Sequence, residues 1–379
     1  MNRKTSEPST DAGALSTRDL NRALLARQML LRRRRMSAEK TIEHLVGIQS
    51  QMPNSPYVGL WTRLTGFKHS ELADLYHKRK VVRLAMMRST IHLVTAEDCL
   101  SLRRIVQPAL ESAFKSYARL VDEAHHEEIA ITGRAMVEEE TATFSDLERR
   151  LNERWPDRHG KAMANMIRTR VPLVQVTPRG IWGATSAANH TSAEKWLGRP
   201  LTSESTVGDL ILRYLGAFGP ATVIDAQSWS GLPRLGPVFE ELRPGLVTFR
   251  DDKGRELFDL PNAPRPSANT TAPIRFLPEF DNVLLAYKDR RRIIAGEYKA
   301  KVYPTNGVTQ PTILVDGFVE GKWKIAATDR KATLSIESFR RFTKAERAAI
   351  EAEGEKLLDF VAETKKARDI KVSGPGRVA

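Results

Sequence analysis

The spacing of apolar positions changes from helical to strand-like early in the chain. Ser16 or Thr17 offers an N-cap, and the apolar side chains that follow recur every three or four positions, which predicts an amphipathic helix. Two further helices are predicted, the first capped by Ser37 and the second by Ser70. The predicted helices cover residues 20–30, 38–47 and 71–80. Residues 81–94 predict two strands around a turn near Ser89, and helices closed by a β-hairpin are typical of a winged helix.

The same order of elements recurs twice further along the chain. The second passage predicts helices at 144–154 and 161–169 and then strands at 171–176 and 180–182 around Pro178. The third passage predicts helices at 208–215, 222–230 and 239–242 and a hairpin with strands at 246–250 and 256–260. Three helix–helix–hairpin units in one chain amount to a degenerate structural repeat.

A proline-rich linker at residues 261–273 precedes a change of pattern. The segment after it contains short strand-like runs separated by turns, which predict a small antiparallel β-barrel or sheet. These runs are 275–277, 283–286, 293–294, 312–315 and 322–327. A long helix is predicted at 344–366, and the residues after Lys371 are expected to form a frayed tail.

Together the elements predict an α+β fold with three tandem winged helix-turn-helix units, a C-terminal small antiparallel β-barrel and a terminal helix. The predicted boundaries are 1–15 for a disordered lead, 16–130, 131–200 and 201–262 for the three winged helices, and 263–379 for the barrel and final helix. A length of 379 residues agrees with more than one folded unit, since a domain has about 150 residues.

The charge balance is strongly basic. Lys and Arg number 60 and Asp and Glu 46, which gives a formal net charge of +14. Such a charge suits binding to nucleic acid, to an anionic membrane or to acidic proteins, and it also suits simple solubility. The chain has no run of about 18 apolar residues, no apolar signal core at its start, and one cysteine, Cys99. We therefore expect a cytoplasmic protein with no membrane partner, no internal disulfide and no cysteine-rich zinc site.

Three separated segments carry a resemblance to a known family. They are IQSQMPNSPYVGLW at 48–61, RSTIHLVTA at 88–96 and LPEFDN at 277–282. In this order, and over residues 17–365, the chain resembles the winged-helix DNA glycosylase family that includes AlkZ and YcaQ. The resemblance implies three winged-helix units in a C-shaped clamp with a C-terminal β-barrel. It also implies monofunctional excision of N7-alkylated purines, including bulky adducts and interstrand crosslinks.

The resemblance implies a specific catalytic pair. The family motif is Gln, an aliphatic residue, then Gln or Asp, and it falls on Gln49 and Gln51 in the Gln–Gln form that resembles AlkZ more than YcaQ. The middle position is Ser50, where the family usually has an apolar side chain, so a buried Ser50 must find a hydrogen bond. The implied partner is double-stranded DNA carrying alkylated purines, with no cofactor. We expect a monomer in the cytoplasm, associated with the nucleoid.

Two neutral amides can serve this chemistry if they face the same side. Residues i and i+2 do so in an extended segment, and Pro53 and Pro56 disfavour a continuing helix after the motif. Gln49 and Gln51 could then hold a water and direct its lone pair at the anomeric carbon. N7 alkylation makes the purine cationic and already a good leaving group, so a general base matters less. The alternative interpretation is a pair of partly buried amides that cap a loop.

Basic side chains and one histidine are candidates for contacts with DNA. Arg88 and His92 lie in the second similar segment, and the alternative for His92 is a strand histidine whose hydrogen bonds are satisfied within the protein. Two basic runs are candidates for phosphate contacts, with a solvated surface as the alternative. The runs are Arg32, Arg33, Arg34 and Arg35, and Lys288, Arg290, Arg291 and Arg292.

The acidic residues and the remaining histidines do not predict further chemistry. Glu279 and Asp281 form a spaced carboxylate pair, which we expect to be structural because no aromatic sugar platform accompanies it. His125 and His126 are adjacent and diverge on a helix, so they do not form a ligand pair. No metal site is therefore predicted.

The leading hypothesis is a DNA glycosylase, and two non-enzymatic alternatives stand beside it. Because a fold alone does not fix a function, a winged-helix DNA-binding protein, such as a transcription regulator, stays an alternative. Such a protein would protect one defined sequence and release no base. A module for protein partners would show no salt-dependent affinity for DNA.

Overall fold

The structure, a computed structural model, describes residues 11–305 and 307–375. The first part of the described chain contains the elements that surround the Gln-Ser-Gln segment. They are β1 (Asp11–Leu15), α1 (Thr17–Arg27), α2 (Ala38–His44), β2 (Ile48–Gln49), α3 (Ser55–Trp61), α4 (His69–His77), β3 (Val81–Ala85), β4 (Ile91–Thr95), α5 (Ala96–Leu102) and α6 (Gln107–Phe114). We call α1 to α6 with β2 to β4 the first unit.

The helices of the first unit begin where polar side chains satisfy free backbone amides. Ser16 and Asp19 form a capping box at α1, and Ser37 accepts a hydrogen bond from the Lys40 amide at α2. Both predicted caps are confirmed. The predicted cap at Ser70 is wrong, because α4 begins at residue 69, and its first turn is closed by the Glu71 side chain, which accepts from the amide of residue 68.

Two further groups of helices and strands follow. The second unit contains α7 (His126–Glu139), α8 (Phe144–Arg154), α9 (Gly160–Arg170), β5 (Leu173–Gln175), β6 (His190–Ser192) and α10 (Ala193–Leu197). The third unit contains α11 (Val207–Phe218), α12 (Val223–Ser230), α13 (Gly236–Leu242), β7 (Val247–Asp251) and β8 (Glu256–Asp259). The predicted helices and the third hairpin are therefore present, with ends that shift by a few residues.

One sheet joins the first two units. Its strand order is β2-β4-β3-β5-β6, and all its neighbouring pairs are antiparallel. The predicted partner of β5 at 180–182 is wrong, because β5 pairs with residues 190–192 instead. The described residues of β6 are His, Thr and Ser, so this strand has no apolar alternation that a sequence pattern would reveal.

A second sheet corrects the expected disorder at the start of the chain. β1 pairs in parallel with β7, which in turn pairs with β8 of the third hairpin. Residues 11–15 of the predicted disordered lead therefore form a strand, because the exposed edge of β7 offers them backbone hydrogen bonds. Residues 1–10 of that prediction lie outside the described residues.

The last part of the chain forms an open sheet and not the predicted barrel. Its elements are β9 (Arg275–Leu277), α14 (Asn282–Leu285), α15 (Lys299–Val302), β10 (Thr312–Val315), β11 (Phe318–Ala327), β12 (Lys331–Ser338), α16 (Lys344–Val361) and β13 (Ala367–Ser373). The strand order is β13-β12-β11-β10-β9, and β9 and β13 do not pair in the described residues. The parallel pairing of β12 with β13 also makes the sheet mixed. We call β9 to β13 with α14 to α16 the C-terminal body.

Two predicted strands of the C-terminal body are wrong. Residues 282–285 form the short helix α14, which Asp281 caps through its side chain, and residues 293–294 lie in a turn whose amides donate to the Arg290 carbonyl oxygen. The predicted frayed tail is also too long, because β13 continues to residue 373. Residues 376–379 lie outside the described residues.

Buried ion pairs connect the first unit to the elements that follow it. Arg27 of α1 donates to both carboxylate oxygens of Asp259 in β8, at 2.6 and 2.7 Å, and both side chains are 0% exposed. Arg63, after α3, donates to both oxygens of Asp281 at 2.7 and 2.8 Å. None of the helices in the described part of the chain is both long and apolar enough to span a bilayer.

Candidate active site

The two glutamines of the motif open into one cavity. Gln49 ends β2 opposite His92 of β4, and Gln51 lies just beyond the strand, where its Oε1 accepts from the backbone amide of Ile91 at 2.8 Å. Both side chains line a cavity of about 580 Å³. The expected same-sided placement of residues i and i+2 is therefore found in the structure.

The C-terminal body holds the backbone in front of Gln49. The Asn282 side chain accepts from the Gln49 amide at 3.2 Å and donates to the Gly47 carbonyl oxygen at 2.7 Å. Gly47 has a φ of +88°, and a Cβ at this position would lie 2.7 Å from the Val94 side chain. Only glycine fits that turn. The backbone that leads into Gln49 is therefore held by the conformation of Gly47 and by the hydrogen bonds of Asn282.

Ser50 points away from the cavity into a buried polar contact. Arg83 of β3 donates from Nε to the Ser50 hydroxyl at 3.0 Å and from Nη2 to the Ser50 carbonyl oxygen at 2.6 Å. The hydrogen bond that a buried serine requires is therefore present. Burial lowers the pKa of Arg83, but a guanidinium starts from such a high value that it keeps its charge at neutral pH.

We expect Ser50 and Arg83 to be energetically coupled. Ser50→Ala leaves the buried Nε without its partner, and Arg83→Met removes both donors, so a double-mutant cycle should give a coupling energy of about 1–3 kcal/mol. Urea denaturation of the two single variants, the double variant and the wild type measures it. Additive effects of the two substitutions would contradict the coupling.

Arg88 connects Gln49 to the third unit. It lies in the turn between β3 and β4 with a φ of +54°, and its Nη2 donates to Gln49 Oε1 at 2.7 Å. Its Nη1 donates to the carbonyl oxygen of Trp229 in α12. Burial, together with the nearby positive charge of Arg290, lowers the pKa of Arg88 to about 10, which leaves the side chain protonated at neutral pH. Arg88 thus lines the cavity and fixes the amide of Gln49.

The second unit supports the same turn. Arg168 of α9 donates to the Ser89 carbonyl oxygen at 2.6 Å and to its hydroxyl at 3.1 Å. On the opposite side, Gly231 has a φ of +80°, and a Cβ there would lie 3.1 Å from the Arg88 backbone. All three units therefore meet at the hairpin that carries Arg88.

His92 lies within the sheet and not on a surface that could meet a phosphate. Its side chain is buried, with 2% of its area exposed, and its Nδ1 donates to the Thr90 carbonyl oxygen at 3.0 Å. Burial and the charge of Arg88 lower its pKa to about 3, so the ring is neutral. The predicted DNA contact is thus replaced by the alternative, a strand histidine satisfied within the protein.

The neutral state of the buried histidines makes stability depend on pH. Burial also lowers the pKa of His190, to about 4. The unfolded chain binds protons below about pH 6.5 that the folded chain does not, so the free energy of unfolding should fall in acid by up to about 1.4 kcal/mol per pH unit for each ring. Urea denaturation between about pH 7.5 and about pH 5 should show this slope. His92→Gln should reduce it, and an unchanged slope would contradict the assignment of His92.

The basic run after α1 lies outside the cavity lining. Arg33 donates to Glu353 of α16 at 2.7 Å, and its guanidinium lies 4.5 Å from the centre of the Trp61 ring. The other three arginines of the run are exposed at the surface; they are Arg32, Arg34 and Arg35. Arg33 is thus a structural residue, whereas its neighbours remain available to solvent.

The second basic run divides among three environments. Arg290 lines the cavity, and its guanidinium lies 4.3 Å from the centre of the Tyr303 ring. Arg291 pairs with Asp289 at 2.9 Å, and Lys288 is exposed. Arg292 is buried and donates to the Pro220 carbonyl oxygen at 2.7 Å. The predicted phosphate contact is therefore wrong for Arg292, because burial keeps its side chain from solvent.

Several cavity residues carry no signal in the sequence. Ser228 comes from α12, Phe280 precedes α14 and Leu285 ends it, and Thr309 comes from the segment before β10. Their residue types are ordinary, and only the folding of the third unit and the C-terminal body brings them to the glutamines. The LPEFDN segment did indicate this region, because Phe280 and Asn282 both lie within it.

The carboxylates near this segment are structural, as expected. Asp281 is held by Arg63, and Glu279 accepts from the Ser55 hydroxyl at 2.9 Å. No carboxylate or histidine is among the described residues that line the cavity. Within residues 11–305 and 307–375, histidine, cysteine and acidic side chains form no group of three or more that could hold a metal ion.

The arrangement offers neutral amides beside positive charge. Each glutamine oxygen accepts one protein hydrogen bond, and an amide oxygen has a second lone pair for the proton of a water. Arg88 and Arg290 on the same cavity suit phosphate groups. A site with these properties can orient a water near an anionic backbone but offers no side chain that would take a proton from it.

The chain is similar to known DNA glycosylases in sequence and in fold. The family model for AlkZ-like DNA glycosylases matches residues 42–360. The interstrand DNA cross-link repair glycosylase of Streptomyces sahachiroi is 27% identical over 340 residues, which cover 79% of this chain and 85% of that protein. The solved structure of Streptomyces sahachiroi DNA glycosylase AlkZ has a TM-score of 0.76 and 21% identity, and the match covers 95% of this chain and 100% of the other. At that identity the structural likeness shows the fold.

Proposed function

The chain belongs to the AlkZ-like DNA glycosylase family, and from this premise we propose that it hydrolyses the N-glycosidic bond of N7-alkylated purines in double-stranded DNA. Gln49 and Gln51 position the attacking water. The observation that supports this assignment is that both amides line one cavity with two arginines and with no carboxylate or histidine among its described residues. The reaction is monofunctional, because water is the nucleophile and an abasic site is the product.

The substrate supplies most of the driving force in this mechanism. A purine alkylated at N7 is cationic and leaves easily. Its bond to the sugar can therefore break through an oxocarbenium-like transition state before water attacks. The two amide oxygens hold the water by its protons, so that a lone pair points at the anomeric carbon. Their dipoles also stabilise the positive charge that develops on the sugar. An undamaged purine lacks the cationic leaving group, so a catalyst without a strong base is selective for the lesion.

We propose that the substrates include bulky adducts and interstrand crosslinks. A relative that is 27% identical to this chain is named as an interstrand DNA cross-link repair glycosylase. A purine tied to both strands resists flipping into a closed pocket, so an open cavity beside the duplex suits such a lesion.

The architecture in this proposal is a C-shaped clamp of three winged helices, with boundaries at 16–130, 131–200 and 201–262 and the C-terminal body in 263–379. The contacts of Arg88 with Trp229 and of Arg168 with Ser89 support it, because they bring the three units to one hairpin. The clamp acts as a monomer on DNA, in the cytoplasm and at the nucleoid.

The direct test is base release from methylated duplex DNA. Purified protein should release 7-methylguanine and leave abasic sites, which are scored as alkali-labile strand breaks. Duplex DNA without methylation is the control and should stay intact. A protein that releases no base and protects one defined sequence in a footprint would instead be a winged-helix regulator.

Arg290 should contribute more to DNA binding than its neighbour Arg291. With several phosphate contacts, affinity should fall by about 10³-fold or more between about 50 and about 200 mM salt. Arg290→Gln should lower the log–log salt slope by about 1, because Arg290 lines the cavity. Arg291→Gln is the matched control, since Arg291 already pairs with Asp289 at 2.9 Å. Fluorescence anisotropy over a salt series measures both slopes, and equal slopes would exclude Arg290 from the interface.

A further inference from the structure

A second cavity adjoins the one that contains the glutamines. Its volume is about 540 Å³, and it shares Met52 and Val308 with the catalytic cavity. Met52 directly follows Gln51 in the chain, so the boundary between the two cavities lies beside a residue of the motif. The proposed mechanism does not use this second cavity.

The second cavity has a mainly apolar and aromatic lining. The residues that give it this character are Pro53, Trp182, Pro311, Trp323 and Ile325. Such concave, apolar and preformed surfaces are typical of sites that bind small organic groups. Two lysines also line it, the exposed Lys324 and the half-buried Lys365, together with one carboxylate, Glu279.

Both tryptophans are fixed before any ligand arrives. The Trp182 ring stacks on His69 with 4.3 Å between ring centres. The Trp323 indole Nε1 donates to the carbonyl oxygens of Leu277 and Thr312, at 3.0 and 3.1 Å. Because the polar group of Trp323 is already satisfied, its ring offers only apolar and π contacts to the cavity.

The boundary between the cavities is apolar and adaptable. Met52 is 45% exposed and Val308 is 37% exposed, and both are large apolar side chains at the surface. An unbranched thioether adjusts its shape to whatever it contacts. Among the described residues, the two side chains that both cavities share are apolar, so a flat or branched group can contact them on its way from the catalytic cavity to the second one.

We propose that the second cavity binds the substituent on N7 of the damaged purine and that it favours aromatic or extended apolar substituents. The proposal rests on the proposed function, because it requires the damaged purine to lie beside Gln49 and Gln51. With the glycosidic bond at the glutamines, the N7 substituent projects away from the sugar. An apolar surface adjoins the catalytic cavity at Met52, where the second cavity begins. A benzyl group extends farther from N7 than a methyl group does, so we expect the benzyl group, and not the methyl group, to enter the second cavity.

The test compares two substituents on otherwise identical duplexes. The probes carry 2′-fluoro-stabilised N7-benzylguanine or N7-methylguanine, which bind but are not cleaved. Wild type should prefer the benzyl duplex by about tenfold or more, the size expected when a phenyl group leaves water. Ala327→Trp should bring the ratio of the two dissociation constants close to one, because residue 327 lines the cavity and an indole would fill it.

Ala326→Trp is the matched control. Residues 326 and 327 are both exposed near the end of β11, and successive side chains of a strand face opposite sides, so Ala326→Trp should keep the wild-type ratio. A wild-type ratio near one, or equal ratios in the two tryptophan variants, would overturn the proposal. Base release from unmodified-sugar versions of the same probes separates the two ideas. If neither base is released and the binding ratio is unchanged, the glycosylase mechanism is rejected. The binding of the N7 substituent in the second cavity would then still be supported.

Discussion

Gln49→Ala and Gln51→Ala should each slow the release of 7-methylguanine by about 10²-fold, the usual effect of removing one preorganised dipole from a reacting centre. Each substitution removes one amide that holds the water, and neither removes a positive charge. The affinity for lesion-bearing duplex should therefore stay within a few-fold of the wild-type value. Single-turnover base release and anisotropy on the same duplex measure the two quantities separately.

The effects of the two glutamine substitutions should not add. The amides act on one water, so the double variant should be little slower than either single variant. Gln107→Ala is a suitable control, because Gln107 of α6 contacts Glu111 of the same helix and Arg103 at the end of α5, and it does not line the cavity. Rates like that of the wild type in both single variants would remove Gln49 and Gln51 from the mechanism.

Asp259→Ala should lower the free energy of unfolding by about 3–5 kcal/mol, because it leaves a buried guanidinium without its anion. The Asp259 carboxylate accepts from Arg27 at 2.6 and 2.7 Å and from Arg265 at 2.6 Å, and it is 0% exposed. Replacing both partners of the buried pair, with Arg27→Met and Asp259→Leu, should recover part of the loss. Urea denaturation of the variants gives the differences.

A surface ion pair provides the control for Asp259. Asp369 pairs with Lys331 at 3.0 Å, and both side chains are about a third to a half exposed. Asp369→Ala should cost at most about 1 kcal/mol, since water screens such pairs. Equal losses in the two variants would show that burial does not set the energy of the Asp259 contact.

The sequence predicts what local interactions determine. α8 covers residues 144–154 as expected, because Thr143 caps it and its apolar positions repeat with helical spacing. The shared orientation of Gln49 and Gln51 follows from the two-residue period of an extended chain. Both features depend only on residues close in sequence.

Long-range pairing explains what the sequence does not predict. The C-terminal sheet stays open because β13 pairs with β12 and leaves β9 at the other edge. β13 includes charged residues at exposed positions, so its alternation of apolar and polar side chains is weak. A short apolar run such as 282–285 fits a helix or a strand equally well. Similarly, no local pattern separates Arg290, which lines the cavity, from the buried Arg292.

The contacts around Gln49 are complete only in the finished chain. Its backbone amide depends on Asn282, and its side chain depends on Arg88, which in turn needs the Trp229 carbonyl. Trp229 and Asn282 follow Gln49 by about 180 and about 230 residues, which a ribosome adds at about 5–20 residues per second. For some ten seconds or more of each round of synthesis, an emerging chain can already attract DNA by charge while its glutamines lack their supports. If the glutamines act as proposed, we expect a chain that is still incomplete to release no base.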